Sequence, residues 1–142
     1  SLTAAKKTVE ELKMLREAGL SRIHVGMESG YDPLLKFIRK GATAEQHIEG
    51  GRRIVTAGIS LSEYVMPGLG GVRWTEEHAV ESARVLNQIN PAFIRLRSLQ
   101  VRKGTPLYDT MKGGLFEPLD EDGVVRESGY SSSTSKVSTV GL

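Results

Sequence analysis

Arg22-Ile-His-Val-Gly-Met-Glu-Ser-Gly30 is the stretch whose reading decides the fold. Within it Ile23, Val25 and Met27 alternate with His24, Gly26 and Glu28, the period of a strand with two unlike faces. One face is apolar, as a strand covered by helices requires. The other carries an imidazole and a carboxylate around a glycine that leaves room for something to approach the backbone. A helix signal follows at once, and in α/β proteins ligands bind at the carboxyl ends of such strands. Glu28 and Ser29 are therefore the first candidate site residues.

Working outward, Thr3 to Ala18 reads as an amphipathic helix with Ala5, Val9, Leu12 and Leu15 at helical spacing, stopped by Gly19. On the other side, Asp32-Pro33 has the form of an N-cap followed by proline, starting a short helix that Gly41 ends. Thr43-Ala-Glu-Gln46 has capping-box form and opens a helix closed by Gly58. Gly50-Gly51 inside it costs about 1 kcal/mol per glycine relative to alanine, which close packing on a sheet would explain. Ile59 to Met66 is the second strand and ends in Pro67-Gly-Leu-Gly-Gly71. A long helix capped at Trp74-Thr75 carries Ala79, Val80, Ala83, Leu86 and Ile89 on one side. The third strand runs from Phe93 to Leu99, at most to Val101, and leads to Lys103-Gly-Thr-Pro106 and a short helix at Leu107 to Met111.

Glu17-Ala-Gly-Leu-Ser21 and Thr56-Ala-Gly-Ile-Ser60 are one helix-to-strand joint used twice. Alternating helix and strand calls for parallel strands with helical crossovers. The expected fold is α/β, a partial TIM-like barrel fragment of about three parallel strands at Leu20–Met27, Ile59–Met66 and Phe93–Leu99. Residues 1–118 form this part. Residues 119–142 read as an extension and a Ser/Thr-rich, poorly ordered tail, with a helical turn or two between Asp120 and Glu127.

With 39% hydrophobic and 25% charged residues in 142, the chain can bury a core and is not of disordered composition. A net charge of +2 is too small to argue for nucleic acid or a membrane surface. No apolar run spans a bilayer and Lys6-Lys7 is followed by no signal-like segment, so a cytoplasmic location is the expectation. Cysteine is absent, which excludes disulfides, thiolate nucleophiles and any zinc or iron–sulfur site held by this chain's own thiolates.

Three strand ends place polar groups where an α/β site would lie: His24, Glu28 and Ser29; Ser62 or Glu63, Tyr64 and the glycine turn; and Arg95 with Arg97. The two arginines share a strand face and need an anionic partner or water, which a ligand carboxylate or Glu28 itself would provide. Each group also has a structural reading. Glu28 can simply pair with an arginine, and His24 can be a hydrogen-bonded interior residue. His47 and His78 read as helix-surface residues. The Gly68-Leu-Gly-Gly71 amides can face an anion or merely turn the chain. Lys40 can merely favour a helix C-terminus. No catalytic triad, Walker loop, dinucleotide fingerprint or metal-binding helix motif is present.

In order, Ile23-His-Val-Gly-Met-Glu-Ser-Gly30, Leu35, Arg39-Lys-Gly-Ala-Thr43, Ala57-Gly-Ile59, Pro67-Gly-Leu-Gly-Gly71 and Gly104-Thr-Pro-Leu107 resemble the second half of a radical S-adenosylmethionine (SAM) enzyme core. The resemblance is to the branch holding the Elongator catalytic subunit, the methylthiotransferases and the oxygen-independent coproporphyrinogen oxidases, and runs from about Ser1 to Glu127. It implies strands four to six of a six-unit partial barrel. In that family a CxxxCxxC loop after strand one holds a 4Fe-4S cluster, where SAM is cleaved reductively to a 5′-deoxyadenosyl radical. This chain has no such loop and is expected to be inactive alone.

The resemblance places Glu28 and Ser29 at the SAM ribose or amino end, and Lys40 or Arg39 at the SAM carboxylate. Glu63 and Tyr64 compete for an acidic position near the ribose, beside the glycine turn at Gly68 and Gly70. The strand around Leu96 to Leu99, with Arg97, lies near the adenine. Two other readings stand beside it: half of a phosphate-binding TIM barrel using Gly68 to Gly71, and a non-catalytic fragment whose polar strand ends pair with one another. Cutting a barrel before its fourth strand leaves an unpaired edge at Ile23 to Met27, so self-association, most simply as a homodimer, is expected. The Ser-rich tail folding back over that edge is the alternative.

Overall fold

The computed structural model describes residues 6–97, together with 99, 103, 113–114, 117–119, 127 and 137–139. In chain order the elements are α1 (Val9–Glu17), β1 (Arg22–Glu28), α2 (Asp32–Phe37), α3 (Ala44–Thr56), β2 (Ser60–Val65), α4 (Thr75–Ile89), β3 (Phe93–Leu96) and β4 (Val137–Thr139). The four strands form one parallel sheet in the order β1-β2-β3-β4. The α/β fragment of three parallel strands with crossover helices is thus what the chain folds into, with a fourth strand added.

The repeated joint is built the same way both times. Gly19 and Gly58 take positive φ (115° and 80°) after the last helical turn, and their amides donate to Arg16 and Val55 carbonyls. Leu20 and Ile59 then bond back to Leu15 and Ile54, which closes each helix and aims the chain into a strand. At the helix starts, Thr8 Oγ1 caps α1, and Thr43 with Gln46 forms the full capping box of α3. Asp32 caps a different helix from the one expected. It lies inside α2, and its carboxylate accepts the Ala44 amide of α3 at 2.8 Å. Trp74 precedes α4 without a side-chain cap bond.

Ile23, Val25 and Met27 share a buried face with Leu61, Val65 and Ile94 of the next strands. Leu12 of α1, Ile48 and Ile54 of α3, and Val85, Leu86 and Ile89 of α4 complete that core. The helical glycine is explained by a helix, not by the sheet. A Cβ on Gly51 would stand 2.7 Å from Ile89 Cγ2, so α3 and α4 pack at a distance only glycine allows.

The surface placement expected of two histidines is overturned. His47 and His78 are 1% exposed and face inward, because each lies on the apolar stripe of its helix, His47 with Gly51 and Ile54, His78 with Ser82 and Val85. Residues 137–139 form β4, whose Val137, Ser138 and Thr139 pair with Ile94, Arg95 and Leu96. It sits on the edge opposite β1, so among the described residues the outer side of β1 has no strand neighbour. Leu107 to Met111 and the Gly104-Thr-Pro-Leu107 motif lie outside the described residues. Among the described residues no helix is long and apolar enough to cross a membrane.

Candidate functional site

The polar face of the sheet carries His24, Gly26, Tyr64 and Arg95 in register, opposite to the helix-covered face. At the end of β1 the pairing slips. Gly26 faces Tyr64 but Glu28 faces Val65, so Met27 is an extra residue and the strand bulges. Bulges of this kind re-aim a side chain and gather next to active sites. Glu28 itself has φ 68°, the left-handed region, which costs a non-glycine residue of order 1–3 kcal/mol and persists only where its surroundings enforce it.

The bend turns the Glu28 carboxylate back over Gly26. A Cβ built on Gly26 would lie 2.7 Å from Glu28 Oε1 and 3.6 Å from Lys40 Nζ, so the space a side chain would fill belongs to these two charges. Lys40 Nζ and Glu28 Oε1 are 3.9 Å apart, and each side chain is a little over one fifth exposed (22% and 23%). An anion and a cation held side by side, partly open to solvent and only loosely paired, can grip a zwitterion. Of the two basic candidates, Lys40 comes to Glu28, while Arg39 is exposed and has φ 56°.

A second polar group lies along the same face. The Tyr64 ring has His24 at 6.0 Å between centroids and the Arg97 guanidinium 5.0 Å from its own centroid. Arg95 Nε donates to Ser62 Oγ at 3.1 Å, so this arginine has a partner in the chain.

The other candidates are placed elsewhere. Glu63 is on the covered face between Leu61 and Val65, 1% exposed, with neither carboxyl oxygen hydrogen-bonded among the described residues. Burial pushes its pKa up to about 8, so it is largely protonated at neutral pH. Alternation alone contained this answer, since Glu63 stands two residues from each of two core residues. Ser29 is fully buried and bonded to His78.

The glycine turn is used internally. The Gly68 amide donates to the Glu127 carboxylate, the Leu69 amide to the Met66 carbonyl and the Gly71 amide to the Gly68 carbonyl. A Cβ on Gly70 would meet the Trp74 carbonyl oxygen at 2.9 Å. Glu127, 3% exposed, also accepts from Thr75 Oγ1, and burial raises its pKa to about 7. Nothing in the sequence marked Glu127, because its partners lie more than fifty residues away. A small, partly open cleft lies between it, Val65, Leu96 and His78.

Together these features define an α/β half-barrel with a charged pair at the carboxyl end of a parallel strand. Residues 2–84 match the family profile described as the Radical SAM superfamily. The chain belongs to the radical SAM superfamily. It is 25% identical over 125 residues to the tRNA uridine(34) acetyltransferase of Methanocaldococcus infernus, and 24% to that of Methanocaldococcus jannaschii, covering 87% of this chain and 23% of each relative.

Among solved structures it resembles Methanocaldococcus infernus Elp3 lacking its N-terminus (1–46), with a TM-score of 0.75, 24% identity and coverage of 92% of this chain and 32% of that one. Methylornithine synthase (PylB) superposes with a TM-score of 0.55 at 17% identity, over 92% of this chain and 44% of that one. The chain therefore spans about a quarter of the curated relatives it matches and less than half of the solved ones.

Proposed function

We propose that this chain is the SAM-binding half of a radical SAM enzyme core, with Glu28 and Lys40 as the residues that hold the cofactor. One observation carries the reading: the Glu28 carboxylate, swung over Gly26 by the bulge and a left-handed φ, stands 3.9 Å from Lys40 at the strand end. The pair fits the zwitterionic end of SAM, Lys40 meeting its carboxylate and Glu28 accepting from its ammonium or from ribose hydroxyls. When bound, SAM supplies a sulfonium whose carbon–sulfur bond is open to reductive cleavage. Gly26 makes room for the Glu28 carboxylate, and Tyr64 with Arg97 offers a flat cationic surface further along the face.

A 4Fe-4S cluster does not fit this chain's residues. There is no cysteine, and among the described residues no group of three or more histidines and carboxylates is placed to hold a metal. In this reading the cluster is held by another part of a longer protein, the chain alone is inactive, and the enzyme works in the cytoplasm. The phosphate-binding reading has less support, because three of the glycine-turn amides already donate within the chain.

Calorimetric titration with SAM tests the assignment. Each charge-assisted contact is worth roughly 1.5–3 kcal/mol, so Glu28→Gln and Lys40→Ala should each weaken binding about tenfold or more. Equal affinity in wild type and both variants, or no binding by the wild type, overturns it. We also propose that a second copy of the chain covers the outer side of β1, the sheet edge without a strand neighbour among the described residues. Sedimentation equilibrium at micromolar concentration should give a dimer, and a clean monomer refutes this.

A further inference from the structure

Behind Glu28 lies a buried polar strut that belongs neither to the apolar core nor to the charged pair. His78 of α4 reaches out of the helix with both ring nitrogens engaged. Nε2 is 2.9 Å from the Met66 carbonyl oxygen, and Nδ1 is 2.7 Å from Ser29 Oγ. A carbonyl only accepts, so Nε2 bears the hydrogen and Nδ1 accepts from the Ser29 hydroxyl. Burial lowers the His78 pKa to about 4, which leaves the neutral ring in this one tautomer at neutral pH.

The loop is held at neighbouring points as well. Ser29 Oγ accepts the Tyr31 amide at 3.1 Å, and Ser82 Oγ, one turn beyond His78, accepts the Gly30 amide at 2.9 Å. Gly30 lies directly on α4, where a Cβ would fall 2.5 Å from the Glu81 carbonyl oxygen and 2.8 Å from Ser82 Cα.

These anchors converge on the C-terminal side of one residue. Ser29 follows Glu28 directly, and Met66, whose carbonyl His78 holds, donates its own amide to the Glu28 carbonyl at 3.1 Å. His78 thus ties Ser29, the residue after the left-handed one, to Met66, whose amide holds the carbonyl of Glu28. We propose that His78 is a positioning residue that holds Glu28 in its left-handed conformation and so lays the Glu28 carboxylate over Gly26 beside Lys40. The inference rests on the reading above only for the identity of the ligand. His78 touches neither Glu28's carboxylate nor Lys40, and acts through Ser29 and Met66.

The test is nuclear magnetic resonance on the isotope-labelled 142-residue chain, with His78→Ala and Ser29→Ala beside the wild type. In the wild type, Glu28 should show the strong intraresidue amide-to-Hα cross-peak of a positive φ, and His78 the nitrogen shifts of the Nε2–H tautomer. Both variants should lose the Glu28 cross-peak while the amide spectrum of β2 and α3 stays in place. SAM titrated into the same samples should bind about tenfold more weakly in both variants.

If the cross-peak vanishes in the variants and the wild type binds no SAM, the positioning role stands and the ligand reading falls. If the cross-peak persists in a folded variant, the positioning role is overturned whatever binds. Should His78→Ala fail to fold, Ser29→Ala decides alone, since it removes the contact and leaves the imidazole in place.

Discussion

Glu28 and Glu63 are the same residue type near the ends of adjacent strands, and the sheet treats them in opposite ways. Glu28 is turned out of the strand by a bulge, stays partly exposed and stands beside a cation. Glu63 keeps its place in the alternation, lies among apolar side chains and has no hydrogen-bond partner among the described residues. Burial forces the carboxylate toward neutrality in the second setting. The difference teaches that a polar residue at a strand end is a site candidate only when the backbone turns it off the covered face.

The largest effect should come from Glu63. Its pKa rises from 4.5 to about 8 on folding, so above pH 4.5 the unfolded chain releases a proton that the native chain keeps. Stability from this group is full below 4.5 and lost as pH rises to about 8, on the order of 4 kcal/mol in all. Glu127 acts in the same direction up to about 7. His47 and His78, lowered to about 4, act oppositely and cost stability as pH falls from 6.5. The terms offset one another between roughly 4.5 and 6.5 and leave a net decline above that. Urea unfolding from pH 5 to 8.5 should show this plateau and fall. Glu63→Gln should flatten most of the fall, whereas Glu28→Gln should leave it as it is. A wild-type chain equally stable at pH 6 and 8.5 would mean that Glu63 is ionised or paired.

Next in size is Gly30→Ala, which attacks the seam between the two faces. The new methyl meets helix backbone, which cannot move aside as a side-chain tip can, so a loss of about 2–3 kcal/mol is expected in chemical denaturation. A loss below about 0.5 kcal/mol would show that the loop does not rest on α4.

Much of this comparison was legible in the sequence. The alternation from Ile23 to Glu28 assigns both faces of β1, and the repeated Ala-Gly joint implies parallel strands. The choice of Lys40 over Arg39 was not legible, because it depends on a bulge and a left-handed residue that no local period announces. Glu63 and the two buried histidines could have been placed by following the apolar stripes through them instead of treating each polar residue as a surface one. Glu127 and β4 arise from long-range pairing, with a strand of three residues too short to carry a pattern.

The smallest predicted effect is the most specific to Glu28's backbone. At an ordinary strand position alanine is more stable than glycine, because glycine loses more backbone entropy on folding. At φ 68° the order should reverse, since glycine enters the left-handed region without the Cβ clash that alanine shares with glutamate. Glu28→Gly and Glu28→Ala both delete the carboxylate and any pairing with Lys40, which at this exposure contributes under about 1 kcal/mol. Their difference therefore isolates the backbone. The glycine variant should be the more stable of the two by about 1 kcal/mol in matched thermal and urea melts. If the alanine variant proves the more stable, Glu28 is not left-handed, and the contrast with Glu63 reduces to which side of a regular strand each residue faces.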